Sequence, residues 1–167
     1  MKRKGQIQIS FGMIFSIIIV IATIAIGFYV INYFLDLSNC TKVGLFRDSL
    51  NNKINGANGA WYADIVEDEF KGNVPSKINY VCFGNFSMTP EDSTKTKEIF
   101  EELKKYGEED KNVFIYPPKE ACEGAFYNLK HVSFEENKFF CVEAKSGTIT
   151  LAISKTSGEP LVKLSKL

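Results

Sequence analysis

Residues 11–35 of the chain read FGMIFSIIIVIATIAIGFYVINYFL, and this apolar run decides the architecture. It belongs to 31 consecutive uncharged residues from Gly5 to Leu35. As an α-helix, the uncharged segment would extend about 46 Å, which exceeds the ~30 Å hydrocarbon core of a bilayer. A membrane helix tolerates the small or weakly polar residues that interrupt the run, which are Gly12, Ser16, Thr23, Gly27 and Asn32. The sequence therefore predicts a transmembrane helix.

Charge is distributed unevenly around this segment. Lys2, Arg3 and Lys4 are the only charged residues before Asp36, and all 20 acidic residues follow Leu35. Basic residues beside a membrane helix stay in the cytoplasm. We therefore expect residues 1–5 to be a cytoplasmic basic leader, residues 6–37 the membrane helix and residues 38–167 an extracellular domain in a single-pass protein of the cell membrane.

The residues after Leu35 also bear on the class of partner. They carry 17 Lys or Arg against 20 Asp or Glu, a net charge of −3. Such a mildly acidic surface has no basic stripe that would neutralise phosphates, so nucleic acid is not an expected partner.

Two other interpretations of the N-terminus fit the residues less well. A signal peptide that is removed would have an apolar region of about 7–15 residues and a small-x-small cleavage site. The run here is longer, and its exit, YFLDLSNC over residues 33–40, contains no Ala-x-Ala. Lipid attachment at Cys40 would require an apolar run where Asp36 lies, and it would leave one of the other three cysteines unpaired. Retention of the helix is the prediction.

The residues ahead of the run carry a processing motif. Lys4-Gly5-Gln6, preceded by Lys2-Arg3, resembles the class III (prepilin-type) signal peptide of archaeal type IV pilin-like proteins. The resemblance covers about the first 35 residues. It implies that a membrane peptidase cuts between Gly5 and Gln6 on the cytoplasmic face. The helix would then be retained as an anchor and, in filaments, as part of the packed core.

One position departs from the pattern of pilins that polymerise. Those chains usually carry a glutamate five residues into the mature protein, where it can pair with a neighbour's terminal amine, whereas this chain has Ser10. The resemblance therefore implies a minor or accessory subunit of a type IV pilus-like filament or secretion machine. Its partners would be membrane lipid, the prepilin-type peptidase and other pilin-like helices. The alternative is a membrane-anchored extracellular binding module of unknown ligand that does not enter a filament.

The residues after Asp36 predict an α+β head. An apolar stripe at helical spacing predicts that the membrane helix continues as an amphipathic stalk to about Asn55. The stripe consists of Val43, Phe46, Leu50 and Ile54. The membrane segment and the stalk would form either one helix from about Gln6 or two helices that meet near Ser38-Asn39. The head that follows should be small and mainly antiparallel.

One further helix and several strands are expected in this head. The helix is Asp92–Tyr106, capped by Ser93 or Thr94, with Ile99, Phe100 and Leu103 on its inner face. Lys145-Ser146-Gly147 predicts a hairpin turn between the fifth and sixth segments below, and the last segment should be an edge strand. The strand segments are 60–70, 78–83, 113–116, 131–134, 139–144, 148–154 and 161–164.

Four cysteines lie on the expected exported side. Outside the reducing cytoplasm an even number favours two disulfides, and four cysteines allow three pairings, between which the sequence does not choose. Their spacing matches no zinc motif. The alternative is four buried free thiols. The candidates are Cys40, Cys82, Cys122 and Cys141.

Two triplets fit the N-glycosylation pattern, which has meaning only on an exported face. They are Asn39-Cys40-Thr41 and Asn85-Phe86-Ser87. A disulfide at Cys40 would hinder access to Asn39, so Asn85 is the better candidate.

Residue patterns typical of catalysis are weak in this chain. The single histidine, His131, lies on an expected strand and is more typical of a half-buried surface residue than of a catalytic base. Glu67-Asp68-Glu69 lacks the alternating oxygen ligands of a calcium loop. No serine lies in a Gly-x-Ser-x-Gly elbow. We therefore expect no enzyme activity, cofactor or metal.

Overall fold

The computed structural model describes residues 11–167. The expected cleavage site at Gly5 and Gln6, together with Ser10, lies outside the described residues. The chain divides after Ser38 into two compact units. The described part of the first unit is helical, and the second unit, residues 39–167, contains the sheets.

Helix α1 covers Phe11–Asn55. The helical backbone continues through Ser38 and Asn39, so the apolar and amphipathic segments belong to one helix rather than to two. No proline precedes Pro75 in the sequence to interrupt it. At the C-terminal end, the amides of Ala60 and Trp61 donate to carbonyls of the last turn at 2.9 and 3.0 Å. These bonds satisfy carbonyls that the helix itself leaves without a partner.

The predicted apolar stripe of α1 is buried in the second unit. Val43, Phe46, Leu50 and Ile54 are each at most 1% exposed. Their spacing of three and four residues places them on one face of the helix, which confirms the sequence-based prediction.

The remaining elements alternate between short strands and turns. One further α-helix, α2, covers Thr94–Lys104. Short 3-10 turns cover Pro118–Glu120, Cys122–Gly124 and Glu135–Asn137. The strands described in residues 11–167 are β1 (Val66–Asn73), β2 (Tyr80–Phe83), β3 (Thr89–Pro90), β4 (Val113–Tyr116), β5 (Phe126–Tyr127), β6 (Val132–Phe134), β7 (Lys138–Glu143), β8 (Thr148–Lys155) and β9 (Val162–Ser165).

Two sheets are formed by these strands. The four-stranded sheet has the order β1-β8-β9-β6, and the five-stranded sheet has the order β3-β7-β2-β4-β5. Only the β6–β9 and β3–β7 pairs among the described strands are parallel. The long β1–β8 ladder pairs Val66 with Lys155 and Asn73 with Thr148. The head is thus mainly antiparallel, as predicted.

The five-stranded sheet is buried on both faces. On β2, Val81 and Phe83 belong to the main core together with the α1 stripe, whereas Cys82 faces a second cluster. Period-two alternation along a strand explains this division. The second cluster contains the inner face of α2, where Ile99, Phe100 and Leu103 are buried.

Helix α2 begins where the sequence predicts. Ser93 is its N-cap, and its side chain accepts a hydrogen bond from the Thr96 amide. From the exposed side of α2, Glu102 accepts a 2.7 Å hydrogen bond from the Tyr116 hydroxyl. This bond, together with partial burial, raises the pKa of Tyr116 to about 12.

Three strand predictions need correction. The first strand begins at Val66 rather than near Ala60, because the amides of Ala60 and Trp61 are used to close α1. The Lys145–Gly147 turn is present, but β7 and β8 belong to different sheets, so it joins two sheets rather than forming a hairpin within one. The last strand, β9, is not at an edge, because it lies between β8 and β6.

Candidate functional site

The first part of α1 presents apolar side chains on all sides. Each large apolar residue from Met13 to Leu37 is at least 41% exposed in the structure. Among residues 11–167, α1 alone is long and apolar enough to cross a bilayer, with a mean hydropathy of 2.8 in its most apolar window. A helix that is apolar all round fits a lipid or helix-bundle environment better than water.

Polar groups within this apolar segment are satisfied locally. The Ser16 hydroxyl donates to the Gly12 carbonyl at 2.8 Å, and the Thr23 hydroxyl donates to the Val20 carbonyl at 2.9 Å. Neither hydroxyl therefore needs water or a partner helix as a hydrogen-bond acceptor. In a bilayer, this removes most of the cost of burying them.

Four of the small residues of the segment share one face. Gly12, Ser16, Thr23 and Gly27 follow one another at intervals of four, seven and four. At about 100° per residue, these four positions fall within an arc of about 60°. A Cβ added at Gly27 would meet no atom within 4 Å. Such a stripe allows close approach of another helix.

Aromatic side chains gather near the end of the apolar run. Tyr29 and Tyr33 are 73% and 60% exposed, and Asp36 follows within one turn. Tyrosine is enriched at membrane–water interfaces because its ring is apolar and its hydroxyl is polar. These positions are therefore suited to a membrane–water interface.

The four candidate cysteines form two pairs, both within the second unit. Cys40 on α1 is bonded to Cys122, and Cys82 on β2 is bonded to Cys141 on β7. Cys82 and Cys141 lie directly opposite each other in the antiparallel ladder. The bridges span 82 and 59 residues of sequence, and loops of that length correspond to about 4 kcal/mol each in the chain-entropy model.

The two glycosylation candidates lie in different local structures. Asn39 lies inside α1 beside the bridged Cys40. Asn85 lies in the turn after β2, is half-buried, and its side chain bonds to Ser87. The structure therefore separates two candidates that share one sequence pattern.

His131 is part of a packed cluster. Its ring stacks on Trp61 with centroids 3.7 Å apart, and its Nδ1 lies 2.7 Å from the Asn55 Oδ1. Trp61 Nε1 also donates to the Pro160 carbonyl at 3.2 Å. The cluster joins the end of α1 to two distant loops. His131 therefore has a structural role.

Sequence reasoning missed Lys155 at the same place. Lys155 is only 9% exposed, and its Nζ donates to the carbonyls of Trp61 and Ala63 at 2.6 and 2.8 Å. Along β8, buried residues alternate with less buried ones, and this alternation places Lys155 on the inner face. The same alternation is the sequence signal that could have identified Lys155 as buried. A buried ammonium that bonds carbonyls fixes the loop after α1.

Two of the three acidic residues at the start of β1, Asp68 and Glu69, are engaged in ion pairs. Asp68 pairs with Lys53, and the Lys71 Nζ lies 3.3 Å from the Glu69 Oε1. Hydrogen bonds from Lys53 and from the Glu69 amide lower the pKa of the Asp68 carboxyl. Within residues 11–167, no group of three or more His, Cys, Asp or Glu is arranged to hold a metal ion.

An open cleft of about 420 Å³ lies beside the start of α2. It is lined by three lysines, Lys95, Lys145 and Lys166, but Lys95 pairs with Glu98 and Lys166 with Glu91. Glu143 lies on the same cleft. The mixed charges suit a solvated surface or a weak polar contact rather than a dedicated anion pocket.

Comparison of the chain with protein-family models, with curated proteins and with solved structures finds no match.

Proposed function

We propose that this chain is a pilin-like, single-pass membrane protein that acts as a minor or accessory subunit of a type IV pilus-like filament or secretion machine. The observation that carries the proposal is the composition of α1. Within one helix, an exposed apolar segment up to Leu37 is followed by a stripe, Val43 to Ile54, that is buried in the head.

Attachment would be supplied by the apolar segment. Ile, Val, Phe and Leu each favour insertion by about 0.3–0.6 kcal/mol at the centre of a membrane helix. The basic residues before Gly5 keep that end in the cytoplasm, so the head lies outside the cell. Two disulfides in the head agree with an oxidising compartment.

Assembly would use the small-residue face. The stripe from Gly12 to Gly27 lets a second pilin-like helix approach closely, and van der Waals packing then holds the helices together. Ser10 occupies the place where polymerising pilins carry a glutamate, so the chain lacks the buried ion pair that would set the register of a repeating subunit. This difference favours an accessory position.

Ser10 also favours a second candidate function, a membrane-anchored extracellular binding module outside any filament. Mass spectrometry of the mature N-terminus distinguishes the two candidates. The pilin-like proposal requires a chain that starts at Gln6. A chain that starts at Met1 or Lys2 supports the plain anchor, and a chain that starts beyond residue 35 contradicts both because the helix is then lost.

A matched variant tests the motif itself. Gly5→Leu should block the peptidase and leave residues 1–5 attached, whereas Gly12→Leu, seven residues further on, should leave cleavage unchanged. Equal processing of both variants would contradict recognition at Gly5.

A further inference from the structure

The turn after β2 holds Asn85-Phe86-Ser87 in a closed local geometry. The Asn85 Oδ1 accepts hydrogen bonds from the Ser87 amide at 3.1 Å and from the Ser87 hydroxyl at 2.6 Å. The Met88 amide donates to the Asn85 carbonyl at 3.1 Å, which closes a turn around the triplet. Asparagine bonded to the backbone two residues onward is an Asx turn.

Phe86 fixes this turn to the body of the head. Its ring centroid lies 5.5 Å from that of Phe100, 4.8 Å from that of Phe114 and 6.2 Å from that of Phe139. Ser87, in contrast, is exposed, and Asn85 is half-buried. The middle residue of the triplet therefore anchors the turn while its two polar residues stay at the surface.

The orientation of the Asn85 amide follows from these bonds. Because Oδ1 faces the turn, Nδ2 lies on the opposite side of the planar amide. Within residues 11–167, the hydrogen bonds of the Asn85 side chain all go to Oδ1, so Nδ2 keeps both of its protons uncommitted. An exposed turn that presents an unbonded amide nitrogen is suited to covalent modification at that nitrogen.

Asn39 is also half-buried, but it does not lie in such a turn. It lies within α1, where residues two apart point to different sides of the helix, so its amide and the Thr41 hydroxyl cannot form the contact seen between Asn85 and Ser87. The intervening Cys40 is bonded to Cys122, which fixes the backbone of this turn of helix. A glycosylating enzyme that must bind the triplet in a bent conformation is therefore blocked at Asn39.

We propose that Asn85, and not Asn39, is an N-glycosylation site of the head. The donor is an oligosaccharide carried on a polyprenyl phosphate. A bond forms between Asn85 Nδ2 and the anomeric carbon, and the bond between that carbon and the phosphate oxygen breaks. The polyprenyl phosphate leaves with the electron pair, and the amide proton passes to a base of a membrane-bound transferase. The inference rests on the exported location in the proposed function.

Glycopeptide mass spectrometry of the full chain, purified from its native membrane, tests the site. The wild-type chain should carry a glycan on the peptide that contains Asn85 and none on the peptide that contains Asn39. Asn85→Gln and Ser87→Ala should abolish the glycan mass. Ser87→Thr keeps the hydroxyl and should retain it, and Asn39→Gln should leave the mass unchanged.

Each other outcome overturns the inference in a distinguishable way. A membrane-bound chain with both disulfides oxidised but with unmodified Asn85, or with a glycan on Asn39, would overturn the site and leave the proposed function standing. A chain recovered from the cytoplasm with reduced cysteines would overturn both. Because Asn85→Gln and Ser87→Ala alter the turn, oxidation of all four cysteines in each variant serves as the check that the head still folds.

Discussion

At the scale of single residues, two glycines in the head have opposite roles. Gly72 lies on β1 against the α1 stripe, and a Cβ at this position would lie 2.6 Å from two ring atoms of Phe46. Gly44 lies within α1, and a Cβ there would meet no atom within 4 Å. The first glycine is required by packing, whereas the second only weakens a helix.

Alanine at each position should therefore shift stability in opposite directions. Gly72→Ala should lower the free energy of unfolding by about 1–3 kcal/mol because Phe46 must move within a packed core. Gly44→Ala should raise it by about 0.5–1 kcal/mol because alanine is the better helix former. Urea unfolding of the full chain in detergent, followed by fluorescence of the single tryptophan, Trp61, measures both. Equal shifts would mean that the β1–α1 contact is loose.

Sequence patterns at this scale predicted the residues whose role depends on near neighbours. The α1 stripe and the Ser93 cap follow from spacing within a few positions. The bonds from Lys155 to Trp61 and Ala63, in contrast, join residues more than 90 positions apart. Nothing local to Lys155 identifies those partners, so its burial could only be guessed from the alternation of β8.

At the scale of elements, most strands were predicted close to their observed bounds. The sheet to which each strand belongs, in contrast, was not predicted. Alternation along β7 and β8 defines which side chains point inward, but both strands contribute to one core from different sheets. The Lys145–Gly147 turn has the same local chemistry whether the chain folds back beside itself or passes to a second sheet. The pairing of four cysteines was open for the same reason, since it depends on which strands become neighbours.

The proposed packing of a second helix against the small-residue face of α1 can be tested by substitution. Gly27→Leu places a large side chain on this face, and it should reduce recovery of the chain in sheared surface filaments or with co-purified pilin-like helices at least several-fold. Ala25→Leu, about 200° around the helix from Gly27 at 100° per residue, should leave recovery unchanged. Both substitutions keep the segment apolar, so total membrane-bound protein should be equal. Equal loss in both variants, or in neither, would contradict packing through this face.

At the scale of the whole molecule, the two units have different physical requirements. The first unit, within its described residues, exposes apolar side chains that water does not solvate well. The second unit has a core formed by two sheets and α2 with part of α1, and it carries both disulfides. A membrane suits the first unit and an oxidising compartment suits the second, and the proposed orientation, with the head outside the cell, provides both.

The oxidation state of the cysteines tests the proposed orientation in the intact chain. Cys82 and Cys141 are buried, so a thiol reagent that is added to the folded protein would miss them even if they were reduced. Membranes should therefore be dissolved in denaturant that already contains the reagent. We expect no label before reduction and four labels after it, with peptide mapping joining Cys40 to Cys122 and Cys82 to Cys141. In a Cys40→Ser variant, Cys122 alone should label before reduction. Four labels on the unreduced wild-type chain would mean that the head resides in a reducing compartment, and the exported orientation would then be wrong.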